Sequence, residues 1–259
     1  MLFQFGVYAS MGKKQNAHIS MNKLAKNNKK NLVTQSNEIS EAAYYLSLKA
    51  KRVLWMCFSQ LKSSEDGESA EFTNGEFFVY VSDYQNLFGV STQTASTDVK
   101  AGLNEISTSS VKFYPKDGEY EEIERPWLIE KAAKRGRGAY RVDFNPRLVP
   151  YIVGLTQQFT MFYLHECGRI NNSRTIRLYE NLCQWRSSGV WLVTPQWLVD
   201  RYKLPDSQKD NFAEMKRSFL EPAIKRINKE TPLKVSYETQ SGGNKVDKIL
   251  FSIIDSAIS

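Results

Sequence analysis

Residues 211–228 read NFAEMKRSFLEPAIKRIN. Phe212, Phe219, Leu220, Ala223, Ile224 and Ile227 recur at helical spacing and gather on one side, which predicts an amphipathic helix. Asn211 with Glu214 has the form of a capping box at its start. Pro222 falls inside the pattern and removes one backbone donor, so a kink or a fresh start is expected there. Upstream, Thr194 with Pro195 opens a short helix whose core face is Trp197, Leu198 and Tyr202 and which Leu204-Pro205 ends. Downstream, residues 233–238 and 248–253 alternate as strands around Ser241-Gly242-Gly243-Asn244. Helix, turn, helix and hairpin in that order form a winged helix, whose second helix enters a DNA major groove.

The same order stands about 112 residues earlier, where YVSDYQNLFGVSTQ occupies the place of LVTPQWLVDRYKLP. Residues 39–61 carry a helical stripe of Ala42, Leu46, Ala50, Val53, Cys57 and Leu61, inside which Ser47 can cap a second segment. After a loop at 63–68 and a short strand at 77–81, Ser82 with Gln85 forms a capping box and Gly89 ends the helix. Ser91 caps the next helix, whose core face is Ala95, Val99, Leu103 and Ile106, leaving Thr94, Thr97, Lys100, Ala101 and Asn104 outside. Strands are expected at 111–114, 127–129 and 140–144. The last two flank a basic glycine tip, KAAKRGRG at 131–138, which either lies along a phosphate backbone or only solubilises a hairpin. Residues 173–185 predict an amphipathic helix through Ile176, Tyr179, Leu182 and Cys183, followed by a strand at 191–193.

The expected fold is therefore α+β, two winged-helix domains related by a pseudo-repeat. We divide the chain into a flexible basic arm (1–32), an N-terminal winged helix (33–150), an apolar connecting segment (151–172) that packs between domains or subunits, and a C-terminal winged helix (173–255).

Of the formal charge of +7, six units sit in the arm, whose six lysines face no acidic residue; removing those six from 35 leaves 29 basic against 28 acidic residues in the rest. Local patches, not total charge, must then carry any argument for nucleic acid. Cys57, Cys167 and Cys183 lie far apart on apolar patterns, which reads as buried thiols in a reducing cytoplasm. No apolar run is long enough for a membrane span. Enzymatic chemistry finds no footing: His18 and His165 are isolated, there is no phosphate-binding GxxxxGK[ST] loop, and Glu121/Glu122 belong to a charged loop. No metal or cofactor is expected.

Reading DNA requires cations for phosphates and forked or amide side chains for base edges, all on an anchored helix. On the 211–228 helix Glu214, Arg217, Ser218 and Lys225 point away from the apolar seam, with Lys216 nearer its edge. Arg217 can span guanine O6 and N7, a contact worth roughly 1–3 kcal/mol of discrimination. The plain alternative is a charged solvent face, against which stand the capped helix before it and the wing after it. In the first unit Thr94, Thr97, Lys100 and Asn104 suit phosphates and weak base contacts, with Lys134, Arg135 and Arg137 at the hairpin tip. That unit takes the supporting role.

NLVTQSNEISEAAYYLSLKAKRVLW, RGAYRVDFNPRLVPYIVGLTQQFTMFYL, RTIRLYENLCQWR, DRYKLP and RINKETPLKVSY together resemble the replication initiators of iteron-bearing plasmids, that of the F plasmid among them. The resemblance runs over about residues 31–253, and RLYENLCQ is its most specific run. It implies a pair of winged helices that bind direct repeats at a plasmid origin as a monomer. It further implies a homodimer in equilibrium with that monomer, which represses the initiator's own gene at an inverted repeat. The opened origin passes to the host initiator and helicase in the bacterial cytoplasm. It places the main reading helix on Met215-Lys216-Arg217-Ser218-Phe219, and Lys131 near a region governing dimer against monomer. Where the F plasmid relative has three arginines in a row, this chain has Lys216, Arg217 and Ser218, so the repeat it recognises should differ. A dimeric transcriptional repressor without a replication role is the alternative.

Overall fold

The computed structural model describes residues 32–60, 75–136, 138–152, 159–243 and 245–256, the side chains of Phe159 and His165 excepted. The basic arm up to residue 31, the 63–68 loop, His18, Arg137 and Asn244 lie outside the described residues. The first half runs β1 (Leu32–Ser36), α1 (Asn37–Glu41), α2 (Leu48–Phe58), β2 (Glu76–Tyr80), α3 (Val81–Phe88), α4 (Thr92–Thr108), β3 (Ser110–Phe113), β4 (Ile123–Pro126), β5 (Leu128–Lys134) and β6 (Ala139–Phe144). Then come α5 (Val149–Ile152), β7 (Phe159–Tyr163), α6 (Leu164–Cys167), α7 (Ser173–Gln184), β8 (Val190–Val193) and α8 (Pro195–Tyr202). Helix α9 is assembled from Phe212–Met215, Lys216–Leu220 and Glu221–Glu230, and the chain closes on β9 (Leu233–Gly242) and β10 (Lys245–Asp255).

Each half is a winged helix. In the first, α3 and α4 stand on the sheet β2-β6-β5; in the second, α8 and α9 stand on β8-β10-β9. Local capping chemistry sets these helix ends. Ser47 Oγ accepts from the Ala50 N–H, Ser91 Oγ from Thr94, and Thr194 Oγ1 from Trp197, each satisfying a donor that the helix leaves unpaired. Gly89 closes α3 at φ +63°, a conformation that costs glycine little. Lys203 takes the same left-handed role after α8, at φ +49°.

Several expectations are corrected. The stripe from Ile39 breaks where Ala43 leaves the helical path to exchange backbone bonds with Lys112 at 2.7 and 3.0 Å, and the second segment that Ser47 is expected to cap is α2. Ser82 does not cap α3: the Val81 N–H donates to the Gly138 carbonyl at 2.9 Å, so the helix starts at Val81 and Ser82 lies within its first turn. Strand β5 runs on to Lys134, so Lys131 and Lys134 project from a strand and not from a flexible tip. Strand β4 was not among the expected strands; Glu121 and Glu122 precede it in a loop, as expected. Helix α7 is buried around almost its whole circumference and is no surface helix.

Strand β7 packs against elements of both halves. It pairs antiparallel with β1 from Leu32↔Tyr163 to Ser36↔Phe159. Phe162 is fully buried, with ring centroids 5.6 Å from Trp55 of α2 and 5.7 Å from Tyr179 of α7. Beside it runs an ionic seam. Lys51 Nζ lies 2.8 Å from Glu180 Oε1 and donates to the Tyr44 hydroxyl at 2.6 Å, and Trp55 Nε1 donates to the same Glu180 oxygen at 2.9 Å. Arg177 stacks 3.8 Å from the Tyr44 ring centroid and donates to the carbonyls of Ile39, Ser40 and Ala42. Lys51, Arg177 and Glu180 are at most 3% exposed. Charges so far from water persist because they satisfy one another, and removing one would strand the others.

Candidate nucleic-acid interface

Helix α9 is anchored by Met215, Phe219, Leu220, Ala223, Ile224 and Ile227, all buried. The Phe219 ring meets Tyr202 of α8 edge-on at 5.9 Å, which fixes the angle between the two helices of the motif. Met215, at 0% exposed, and Phe219 are the two residues of the 215–219 stretch that turn into this anchor.

The outer face departs from a regular helix. Lys216–Leu220 is a π-helical turn, in which the Glu221 N–H reaches back to the Lys216 carbonyl. Pro222 supplies the physical reason. Lacking an N–H, it cannot bond the Ser218 carbonyl, and its ring would crowd that carbonyl in a regular α-turn; the widened turn relieves the crowding. A regular helix restarts at Glu221 with Pro222 in its first turn, so the second of the two outcomes expected at Pro222 holds. Lys216, Arg217 and Ser218 therefore sit together on one widened turn, a feature often found at functional sites.

Asn211 caps this helix through the Glu214 N–H at 3.0 Å. The Glu214 carboxylate takes no part in a reciprocal box and reaches forward instead. Its Oε2 accepts from Arg217 Nη2 at 2.5 Å and Nε at 3.2 Å, and its Oε1 accepts from Ser218 Oγ. The Ser218 hydroxyl and the Arg217 guanidinium hold the Glu214 carboxyl below its ordinary range, and Glu214 raises Arg217 in turn. The Arg217 side chain is 79% exposed, while Glu214 is tucked in at 22%. Lys216 lies 3.6 Å from Glu221, and Lys225 is exposed further along α9. The wing adds Lys245 and Lys248, both exposed on β10; neither was singled out from the sequence, where hairpin lysines are common and carry no signal by themselves.

On α4, Thr94, Thr97, Lys100 and Asn104 are all exposed on one arc. Asn104 Oδ1 accepts from Lys131 Nζ at 2.5 Å, which brings a strand lysine onto this helix. Gly102 presses against α2: an added Cβ would lie 2.8 Å from the Lys49 carbonyl oxygen, so the helix sits close on its support. Lys134 and Arg135 are exposed at the end of the β5–β6 hairpin, away from α9 in sequence and on the other winged helix.

The buried cysteines do not present reactive thiolates: burial raises all three, Cys183 to about 12. Among the described residues no cluster of His, Cys, Asp and Glu is arranged to hold a metal ion, and no helix is long and apolar enough to cross a membrane.

The family described as Initiator Replication protein, WH1 matches residues 32–183, and that described as Initiator Rep protein, WH2 matches residues 195–253. An uncharacterized 27.6 kDa protein of Escherichia coli is 52% identical over 233 residues, covering 88% of this chain and 96% of that protein. The PI protein of Escherichia coli is 21% identical over 264 residues, covering 88% of this chain and 84% of the other. Among solved structures, Pi initiator protein in complex with iteron DNA has a similar fold, with a TM-score of 0.69 at 22% identity over 88% of this chain and 98% of that one.

Proposed function

The chain belongs to the initiator replication protein family, and from that premise we propose that it binds double-stranded DNA sequence-specifically, without enzymatic activity, at the direct repeats of a plasmid origin. It binds these iterons as a monomer, represses its own gene as a dimer on an inverted repeat, and passes the opened origin to the host initiator and helicase in the bacterial cytoplasm. Residues 33–150 and 173–255 are the two reading units, 151–172 joins them, and 1–32 is a basic arm. Within the family we set the chain beside the F plasmid initiator, on the run RLYENLCQ.

The observation that carries this reading is the outer turn of α9. An exposed arginine with two polar neighbours stands on a helix whose opposite face is locked into the core, between a capped helix and a wing. That is the placement base readout requires. Lys216, Arg217, Ser218, Glu214 and Lys225 form the reading face; Thr94, Thr97, Lys100, Asn104, Lys134, Arg135 and Arg137 position the backbone. The likeness of the fold to Pi initiator protein bound to iteron DNA supports the assignment.

A footprint across the DNA flanking the gene tests it. Protection of tandem direct repeats about two helical turns apart is expected, since each monomer reads from one face of the duplex. Protection of an inverted repeat alone would overturn the replication role in favour of a dimeric repressor.

A further inference from the structure

We propose that Glu214 is a positioning residue for base readout: it aims Arg217 end-on at guanine and makes Ser218 an acceptor. This rests on α9 being the reading helix and adds to it how the turn discriminates.

A guanidinium has five N–H donors, one on Nε and two on each terminal nitrogen. Arg217 directs Nε and one N–H of Nη2 at Glu214 Oε2. The outward end of the fork, Nη1 and the second Nη2 hydrogen, remains free, and its spacing matches the O6 and N7 acceptors of guanine. Ser218 has a single hydroxyl proton and gives it to Glu214 Oε1, so only its lone pairs face outward. A lone pair there can accept from the exocyclic amine of cytosine or adenine and repels a phosphate oxygen.

The charge balance points the same way. Glu214 cancels Arg217 on the turn, so the pair adds little to the attraction for phosphates that all sequences share. The same pairing prevents the long arginine side chain from swinging onto the backbone. Discrimination rises because nonspecific binding is held down while the fork waits in the reading geometry.

The test uses the full chain, a duplex selected with it from a randomised pool, and a scrambled duplex of equal length. Glu214→Gln should weaken binding to the selected duplex by about tenfold and flatten the preference among the four bases at its most sensitive guanine. Binding to the scrambled duplex should tighten, with a salt slope steeper by up to about one unit as Arg217 turns to phosphate. In an Arg217→Ala background, Glu214→Gln should not change the preference at that guanine further, while any change at the neighbouring base that Ser218 meets persists. Parallel loss on both duplexes at an unchanged salt slope, or effects of the two substitutions that simply add, would overturn the proposal. If Arg217→Ala itself leaves the selected duplex bound as before, α9 is not the reader, and the functional reading fails instead.

Discussion

Helices α4 and α9 hold the same place in two copies of one architecture and are built differently. Helix α4 is regular over Thr92–Thr108, seated close on α2 through Gly102, and exposes short hydroxyl and amide side chains with Lys100 as the cation among the contacts proposed for it. Helix α9 gives up regular bonding over Lys216–Leu220 and carries an arginine clasped by an acid one turn before it. Short polar side chains on a straight helix suit phosphates, which every sequence offers at the same spacing. A base edge must be met by a longer side chain at a set angle, and neighbours must then restrict that side chain. The contrast explains why we assign reading to one copy and positioning to the other.

The comparison presumes that both helices are held in one frame, and the severest way to break it is to remove Glu180. Glu180→Leu leaves Lys51 and Arg177 buried without their counter-charge and should cost about 3–5 kcal/mol of stability, measured by denaturant unfolding. Loss from one half alone, seen as two separated transitions, would show that the seam does not couple them. Next in size, Arg217→Ala should lose about 1–3 kcal/mol on the selected duplex and little on a scrambled one, in paired binding titrations. Equal losses would erase the contrast between the helices.

A third test concerns α3, whose first turn buries Asp83. Burial pushes the Asp83 carboxyl up to about 6, above its unfolded value, so the folded state favours the proton and loses stability as the pH rises from about 4 through 6. Asp83→Asn should therefore stabilise the protein by about 1–2 kcal/mol at pH 7.5 and by nothing at pH 3.5, read from thermal midpoints. The smallest effect is expected of Lys100→Ala: under about 1 kcal/mol on any duplex, with a salt slope shallower by about 0.9. A sequence-dependent loss there would make α4 a reader as well.

What the sequence conveyed was local. Ser47, Gly89, Ser91, Thr194 and Asn211 could be placed because a cap and its partner lie within four residues of each other, and the hydrophobic stripes of α4 and α9 follow a single helical period. Ser82 misled for the opposite reason: the start of α3 is set by Gly138, more than fifty residues on. The burial of α7 was hidden because Arg177 and Glu180 look like a solvated face until Lys51, Tyr44 and Trp55 arrive from the other half. Pro222 announced that a bond was missing but not how the chain would absorb it. Glu214 read as half of a capping box, and nothing in the spacing could say that its carboxylate turns toward Arg217 and Ser218.

The widened turn at Lys216–Leu220 also bears on how such a protein can change its target over generations. Its register is set by Pro222 and its hold on the core by Met215, Phe219 and Leu220, the last three buried and turned away from any base. Positions 216–218 are thereby free to vary as a small cassette. On the proposed reading, exchanging side chains there would alter which repeat is preferred while the fold stays as it is, so related plasmids in one cell could diverge in recognition through two or three codons.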